Sequence, residues 1–287
     1  MSADEATVAE GPLALVCGGG SLPLAVADHV LARGRRVLLF PVRGAAKPED
    51  YAGREHTWVH LGQFGTLARV ARPLGCTEIV LIGWLTRPSL WGLRPDFLTL
   101  KILPRIAKAF LGGDNHLLSN IAKLVEEQGF RLRGAHEVAP EILAPHGSLG
   151  RLVPDAEDLA NVGLGLDYLA AAGRFDIGQA AVVAGRHIVA VEAAEGTDGM
   201  LARVATLRAT GRIRAPRGVL VKAPKPQQDR RFDLPSIGPT TVAAAAKAGL
   251  SGIVVIAGET VVAEPDALRE AADRAGLFVF GASGPAA

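Results

Sequence analysis

The stretch Leu13–Val42, LALVCGGGSLPLAVADHVLARGRRVLLFPV, decides the first half of the fold. A short apolar run is followed by a glycine-rich turn, a helical segment and a second apolar run, which predict a strand, a helix and a strand. Further apolar runs follow at 58–61, 78–83 and 130–135, with helical segments between them. Strands that alternate with helices form parallel sheets covered by helices on both faces. The sequence therefore predicts an α/β protein in which residues 11–138 form a Rossmann-like nucleotide-binding domain.

The second half of the chain has a different pattern. A passage rich in proline and glycine, residues 139–154, is predicted to link two domains. Beyond it, the runs AAVVA and IVAVEA flank Gly185 and Arg186 and predict a β-hairpin. Helices are predicted over 156–172 and from about Thr197, Thr240 and Pro265. Residues 155–284 are therefore predicted to form a separate mixed α/β domain.

Composition narrows the class of protein. Of the 287 residues, 49% are hydrophobic and 21% are charged, as in globular proteins. The net charge of +2 argues against a nucleic-acid partner. Cys17 and Cys76 have no metal-ligand spacing and fit a reducing compartment. The N-terminal MSADEATVAEGP does not resemble a secretory signal, and no window approaches 18 consecutive apolar residues, so we expect a cytoplasmic protein that does not span the membrane.

The glycine-rich turn after the first strand is a candidate phosphate site. Glycines allow close approach of a ligand to the backbone, and the following helix begins with free N–H groups. The predicted substrate contacts are Gly18, Gly19, Ser21 and Leu22. The turn is not G-x-G-x-x-G, and the second strand does not end in an acidic residue, so NAD binding is disfavoured. The alternative is a tight turn without a ligand.

Four other residues of the first domain are candidate substrate contacts by position. Gln63 follows the strand predicted at 58–61, and Gly83 ends the strand predicted at 78–83, so both are expected at the same sheet edge. Asp114 and Asn115 open a predicted helix, where ordinary N-capping is the alternative role.

The stretch Val219–Thr241, VLVKAPKPQQDRRFDLPSIGPTT, is the strongest chemical signal. It runs from a buried strand through a loop with six charged side chains: Lys222, Lys225, Asp229, Arg230, Arg231 and Asp233. Lysines beside carboxylates suit a phosphate ester with Mg²⁺ or Mn²⁺. Lys222 and Asp229 are the predicted catalytic residues, Lys225 a substrate contact, and Asp229 and Asp233 metal ligands. The alternative is surface pairing of the aspartates with the two arginines.

A second acidic turn precedes this strand. In VEAAEGTDGML, Glu192 ends a predicted strand while Thr197 and Asp198 begin a helix. Glu192 and Thr197 are predicted to bind substrate and Asp198 a metal, because a helix N-terminus attracts phosphate. Helix capping by Thr197 is the alternative.

The segment Trp84–Gly113 mixes two tryptophans and many aliphatic residues with arginines and lysines. Such basic, apolar segments lie at bilayer surfaces or cover acyl chains. Packing of a helix with a charged outer face is the alternative.

Taken together, these motifs resemble the UDP-2,3-diacylglucosamine pyrophosphatases of the LpxI type. The segments that carry the resemblance are CGGGSLP, EIVLIGWLTRP, GDNHLL, VAVEAAEGTDGML, VLVKAPKPQQDRRFDLPSIGPTTV and AGLFVFG. The resemblance implies metal-dependent hydrolysis of UDP-2,3-diacylglucosamine to lipid X and UMP in lipid A biosynthesis. It also implies a Rossmann-like domain joined to a distinct C-terminal domain, a homodimer, and a cytoplasmic enzyme that works at the inner membrane.

We therefore expect the nucleotide of a two-chain glycolipid to dock at the first sheet and its diphosphate to meet the second domain. Three other function classes stay open on the residues alone: a nicotinamide-dependent oxidoreductase, a non-catalytic carrier of lipid or nucleotide-sugar, and a glycosyltransferase. Absence of NADH binding would exclude the first, release of UMP would exclude the second, and water rather than an acceptor sugar in the product would exclude the third.

Overall fold

The structure is a computed structural model that describes residues 11–85, 96–97, 99–100, 114–225, 229–232 and 234–284. The chain divides into two compact units, Met1–Ala139 and Pro140–Ala287. Each unit has its own sheet and its own buried core. Both are α/β, as the sequence predicts.

The first unit contains a four-stranded sheet in the order β2-β1-β3-β4, and all neighbouring strands are parallel. Its strands are β1 (Leu13–Cys17), β2 (Val37–Pro41), β3 (Glu78–Ile82) and β4 (Arg131–Arg133). Leu13 and Leu15 are completely buried, because β1 lies between β2 and β3, and Phe40 of β2 is completely buried as well. The described helices are α1 (Leu22–Ala32), α2 (Phe64–Ala71), α3 (Asp114–Glu127) and α4 (Ala135–Val138).

The prediction of a strand at 58–61 is wrong. Only isolated bridges join this segment to the outer side of β2, at Leu39–His56 and Val42–Val59. The N–H groups of Thr57 and Val59 donate to the carbonyls of Leu39 and Pro41 at 2.9 and 3.0 Å. The intervening bond would need an N–H at position 41, and proline has none. Pro41 therefore breaks the ladder. Because 58–61 forms no strand, Gly83 follows the third strand of this unit and not a fourth.

The second unit contains a six-stranded sheet in the order β5-β12-β10-β8-β6-β7 and a separate parallel pair, β9 with β11. The strands of the larger sheet are β5 (Gly147–Ser148), β6 (Ala180–Ala184), β7 (His187–Val191), β8 (Val219–Lys222), β10 (Gly252–Ile256) and β12 (Phe278–Ala282). The pair comprises β9 (Ser236–Ile237) and β11 (Val261–Val262). Strands β8, β10 and β12 are parallel, whereas β6 is antiparallel to both β7 and β8. The sheet is thus mixed.

The predicted hairpin is confirmed, since β6 and β7 pair through Gly185 and Arg186. Both turn residues have positive φ, 56° and 60°, as a two-residue hairpin turn requires. The helices also begin near the predicted residues. They are α5 (Ala156–Ala172), α6 (Gly196–Ala209), α7 (Pro239–Lys247) and α8 (Pro265–Ala275).

The segment 139–154, predicted as a connector, packs within the second unit from Pro140 onward. Strand β5 pairs with β12, and the Ala144 N–H donates to the Thr260 carbonyl at 2.8 Å. Ile142 and Ala144 are buried. These short contacts lack the alternating pattern of a longer strand, so the sequence did not indicate them.

Candidate active site

A cavity of about 470 Å³ opens in the second unit beside Lys222. Two helix starts, strand β9 and the residues that follow β11 form its walls. The lining residues are Glu195, Gly196, Thr197, Asp198, Lys222, Ser236, Ile237, Gly238, Pro239, Thr240, Thr241, Ala263 and Glu264. The predicted residues Thr197, Asp198 and Lys222 therefore share one cavity.

The strand directions explain why these residues meet. Because β7 and β8 are each antiparallel to β6, they run parallel to each other and end at the same sheet edge. Lys222 is the last residue of β8, and Glu192 directly follows β7. Gln179 precedes β6 and therefore lies at that edge as well. The site is built at the carboxyl ends of parallel strands, where open α/β sheets commonly bind ligands.

Lys222 is held in a fixed position at the cavity wall. Only 5% of the residue is exposed. Its Nζ donates to Thr197 Oγ1 and to the Ser236 carbonyl, both at 3.0 Å. A buried ammonium group is costly unless it is hydrogen-bonded, so these acceptors stabilise the charge at this place.

Glu192 lies behind the cavity and is not among its lining residues. It is 8% exposed. One carboxylate oxygen accepts from Thr197 Oγ1 at 2.9 Å, and the other accepts from the Gln179 N–H at 3.0 Å. Glu192 thus contacts Thr197 rather than the cavity.

Two helices of the second unit begin at the cavity. Gly196 and Pro239, the first residues of α6 and α7, both line it. The N-terminal turns of helices carry free N–H groups and partial positive charge, and they attract anions. Together with Lys222 they make this wall suitable for phosphate groups.

Carboxylates also line the cavity, at Glu195, Asp198 and Glu264. Glu195 pairs with Arg203 at 2.7 Å, which holds the pKa of Glu195 below its usual range. Within the described ranges, no group of three or more His, Cys, Asp or Glu side chains could hold a metal ion. Asp233, a predicted ligand, lies outside those ranges. Asp198 fits a Mg²⁺ ligand in kind, because carboxylate oxygens are the ligands that this ion prefers.

Asp229 is not among the residues that line the cavity. Its two carboxylate oxygens accept hydrogen bonds from the Arg231 guanidinium at 3.0 and 2.8 Å. This pairing lowers the pKa of Asp229. Asp229 is therefore ionised near neutral pH and engaged with Arg231, the arrangement that the surface-pairing alternative predicts.

The other charged side chains of the loop are also paired. Arg230 contacts Glu259 at 2.6 Å. Lys225, predicted to bind substrate, contacts Asp176 at 2.7 Å and is not among the cavity-lining residues. These pairs hold the described ends of the loop against their own unit.

The glycine turn of the first unit is packed against Trp84. Gly19 and Trp84 exchange backbone hydrogen bonds of 2.9 and 3.1 Å. A Cβ at Gly19 would lie 2.3 Å from the Trp84 ring, and a Cβ at Gly18 would lie 2.5 Å from the Trp84 carbonyl oxygen. Gly83 has φ +94°, and a Cβ there would lie 2.8 Å from the Gly19 carbonyl oxygen. The turn thus needs glycine for close packing of the chain as well as for any ligand.

The structure places the remaining candidates of the first unit at or next to helix starts. The Gln63 side chain accepts from the His60 N–H at 2.9 Å, just before α2. Asp114 is the first residue of α3 and Asn115 follows it, but their side chains lie outside the described residues. Ser21 and Leu22 lie at the start of α1.

Several cavity residues were not predicted from the sequence. Ser236, Gly238, Thr240 and Thr241 lie in SIGPTT, where proline at the first position of a helix is a recognisable start signal. Gly178 lies behind the cavity, where a Cβ would come within 2.2 Å of the Glu192 carbonyl oxygen. No local pattern marks such a close approach.

The segment Trp84–Gly113 is largely outside the described residues. Trp84, Phe97 and Leu100 are described and are 58%, 75% and 51% exposed. None of the helices in the described part of the chain has the length and apolar character that a membrane span requires.

Fold and cavity together define a two-unit α/β protein with a cavity at the edge of the second sheet, lined by a lysine and two helix starts. The chain belongs to the LpxI family, because the model of the LpxI N-terminal domain matches residues 12–142 and that of the LpxI C-terminal domain matches residues 145–280. A relative from Caulobacter vibrioides, named UDP-2,3-diacylglucosamine pyrophosphatase LpxI, is 44% identical over 273 residues. The match covers 94% of this chain and 96% of the relative.

Likeness to solved structures is weak. WbmG of Bordetella bronchiseptica in complex with NAD is 18% identical over 44% of this chain and 37% of its own, with a TM-score of 0.29. The UDP-glucose 4-epimerase of Thermus thermophilus in complex with NAD is 14% identical over 95% of this chain and 86% of its own, with a TM-score of 0.31. Neither score supports an argument about fold or ligand.

Proposed function

We propose that this protein hydrolyses the pyrophosphate bond of UDP-2,3-diacylglucosamine to lipid X and UMP in lipid A biosynthesis. The observation that carries the proposal is the 44% identity, over nearly the full length of both chains, to a relative named for this activity. The cavity beside Lys222 supports it, since a diphosphate needs cationic and N–H donors around it. The proposal includes a Rossmann-like first unit whose glycine turn contacts the nucleotide.

In this proposal, the second unit binds and neutralises the diphosphate. The Lys222 ammonium and the N-terminal N–H groups of α6 and α7 would donate to phosphate oxygens as negative charge develops. Water forms the new P–O bond, the anhydride P–O bond breaks, and the leaving phosphate takes its electron pair. Asp229 is the proposed base for the proton of that water, a role that requires it to exchange its contact with Arg231.

Mg²⁺ or Mn²⁺ is the proposed cofactor. When bound, such an ion would neutralise phosphate charge and polarise the attacked group. Asp198 is the proposed ligand at the cavity, with Asp229 and Asp233 from the following loop. A homodimer is also part of the proposal, as is contact with the cytoplasmic surface of the inner membrane. The exposed Trp84, Phe97 and Leu100 support the membrane contact.

The first test is release of UMP from UDP-2,3-diacylglucosamine in mixed micelles with Mg²⁺. We expect Asp229→Asn to lower kcat about 100-fold or more, because a general base contributes about 10² to 10⁴ in rate. Asp266→Asn is the matched control, since that aspartate is 83% exposed on α8 and pairs only with Arg269 among the ion pairs described. Activity of Asp229→Asn within about threefold of wild type would remove this residue from the mechanism.

The same assay tests the metal. We expect excess EDTA to abolish UMP release and added Mg²⁺ to restore it. Full activity in EDTA would remove the metal from the proposal. Absence of UMP release under all conditions would instead favour the oxidoreductase or carrier alternatives, which binding of NADH or of intact substrate would then separate.

A further inference from the structure

A chain of three side chains connects a buried acid to the cavity. Lys222 Nζ donates to Thr197 Oγ1, Thr197 Oγ1 donates to Glu192 Oε1, and Glu192 Oε2 accepts from the Gln179 N–H. All three bonds are 2.9–3.0 Å long. Of these three side chains, Lys222 and Thr197 line the cavity and Glu192 does not.

The donor and the acceptor of each hydrogen bond follow from the types of side chain involved. A lysine ammonium can only donate, so the Thr197 hydroxyl must accept from it. The single proton of that hydroxyl is then directed at Glu192. Glu192 accepts a hydrogen bond at each of its two carboxylate oxygens. A reversed arrangement would place two donors against each other.

Both charged groups of this hydrogen-bonded network are buried. Lys222 and Glu192 are 5% and 8% exposed, and each charge would be costly alone. The Thr197 hydroxyl lies between the Lys222 ammonium and the Glu192 carboxylate and bonds to both. Gly178 contributes to this arrangement, because only a residue without Cβ lets Gln179 approach Glu192 so closely.

We propose that Glu192 and Thr197 are positioning residues that act on the diphosphate through Lys222, rather than substrate contacts. This inference rests on the proposed function. Glu192 holds the Thr197 hydroxyl in one orientation, and that hydroxyl, with the Ser236 carbonyl, holds the Lys222 ammonium at the cavity wall. The effect belongs to the catalysed step more than to substrate affinity, since a preorganised charge matters most where new charge develops.

The test compares Thr197→Val with Thr197→Ser. Valine keeps the shape and removes the hydroxyl, whereas serine keeps the hydroxyl. We expect Thr197→Val to lower kcat 10- to 100-fold with KM changed less than threefold, and Thr197→Ser to stay within about threefold of wild type. Thr206→Val is the matched control on the same helix, because its exposed hydroxyl bonds only the Ala202 carbonyl among the contacts described.

A second variant tests the whole chain. Glu192→Gln keeps the volume and should lower kcat in the same manner. The double variant Glu192→Gln with Thr197→Val should lose little more than the worse single variant, because residues of one network are not additive. Urea unfolding of each variant identifies any that fails to fold. If Thr197→Val does not fold, Thr197→Ser is compared with wild type instead.

Four results would overturn the inference while the wild type releases UMP. They are an unchanged kcat in Thr197→Val, an equal defect in Thr197→Ser, a rise in KM alone, and multiplicative losses in the double variant. A wild type that releases no UMP refutes the proposed function itself, so the two failures are distinguishable.

Discussion

Glu78 shows how one residue organises the first unit. Its carboxylate contacts Arg35 and Arg133, each at 2.7 Å, from strand ends that are distant in sequence. Burial of Glu78 opposes ionisation, but the bonds from Arg35 and Arg133 outweigh it and hold the pKa of Glu78 below its usual range. The ion pairs therefore join β3 to β4 and to the residues before β2.

This pairing predicts a pH-dependent stability. A carboxyl whose pKa is lower in the folded protein stabilises it above the unfolded-state pKa, and the contribution is lost as the pH falls. Glu78→Gln should lower the free energy of unfolding by on the order of 1 kcal/mol at pH 7, and the difference from wild type should shrink between roughly pH 5 and pH 3. Urea unfolding at several pH values measures it. Glu55→Gln, 91% exposed, is the control, and a difference independent of pH would contradict the assignment.

At this scale, sequence reasoning identified some site residues but not their partners. Thr197, Asp198 and Lys222 follow strand ends or begin helices, and such positions are readable from pattern. The bond between Lys222 and Thr197 depends on β8 and β7, two strands that pair through β6. The pairing of Asp229 with Arg231 depends on loop dihedral angles that composition does not specify.

Among the elements, α2 is capped by residues from outside the helix. Asp96 accepts from the N–H groups of Thr66 and Thr99 at 3.0 Å each, and Thr99 Oγ1 accepts from the Phe64 N–H at 3.3 Å. Thr99 is buried. Because helix N-termini leave N–H groups without partners, this remote cap both completes α2 and fixes Asp96 and Thr99 against it.

We expect Asp96→Ala to lower the free energy of unfolding by about 1–2 kcal/mol, the usual cost of losing a capping carboxylate. Asp96→Asn keeps one acceptor oxygen and should cost less. Urea unfolding measures both changes. Equal stability of Asp96→Ala and wild type would show that the cap contributes nothing.

Element prediction succeeded where a segment is long and periodic. Helix α5 and the β6–β7 hairpin match their predicted ranges because apolar spacing and the turn residues agree. The predicted strand at 58–61 failed because Pro41, a residue of its neighbour, breaks the ladder. The two-residue strands β5, β9 and β11 have no periodicity to detect, and tertiary pairing creates them.

For the whole molecule, the division into two units predicts separate folding. A fragment of residues 140–284 should unfold cooperatively, because its sheet and core lie within it. A fragment of residues 155–284 lacks β5 and the buried Ile142 and Ala144, and should be less stable by about 2 kcal/mol or more. Circular dichroism during urea unfolding compares them. Equal stability would show that 139–154 is only a connector.

The broken ladder beside β2 affects how separate copies of the chain behave in solution. An uncovered strand with a full row of backbone donors and acceptors recruits strands from neighbouring molecules and leads to aggregation. Here residues 56–59 already occupy part of that row, and the imide nitrogen of Pro41 has no hydrogen to offer. The β2 edge of the first sheet is thus a poor template for pairing with a strand of another molecule.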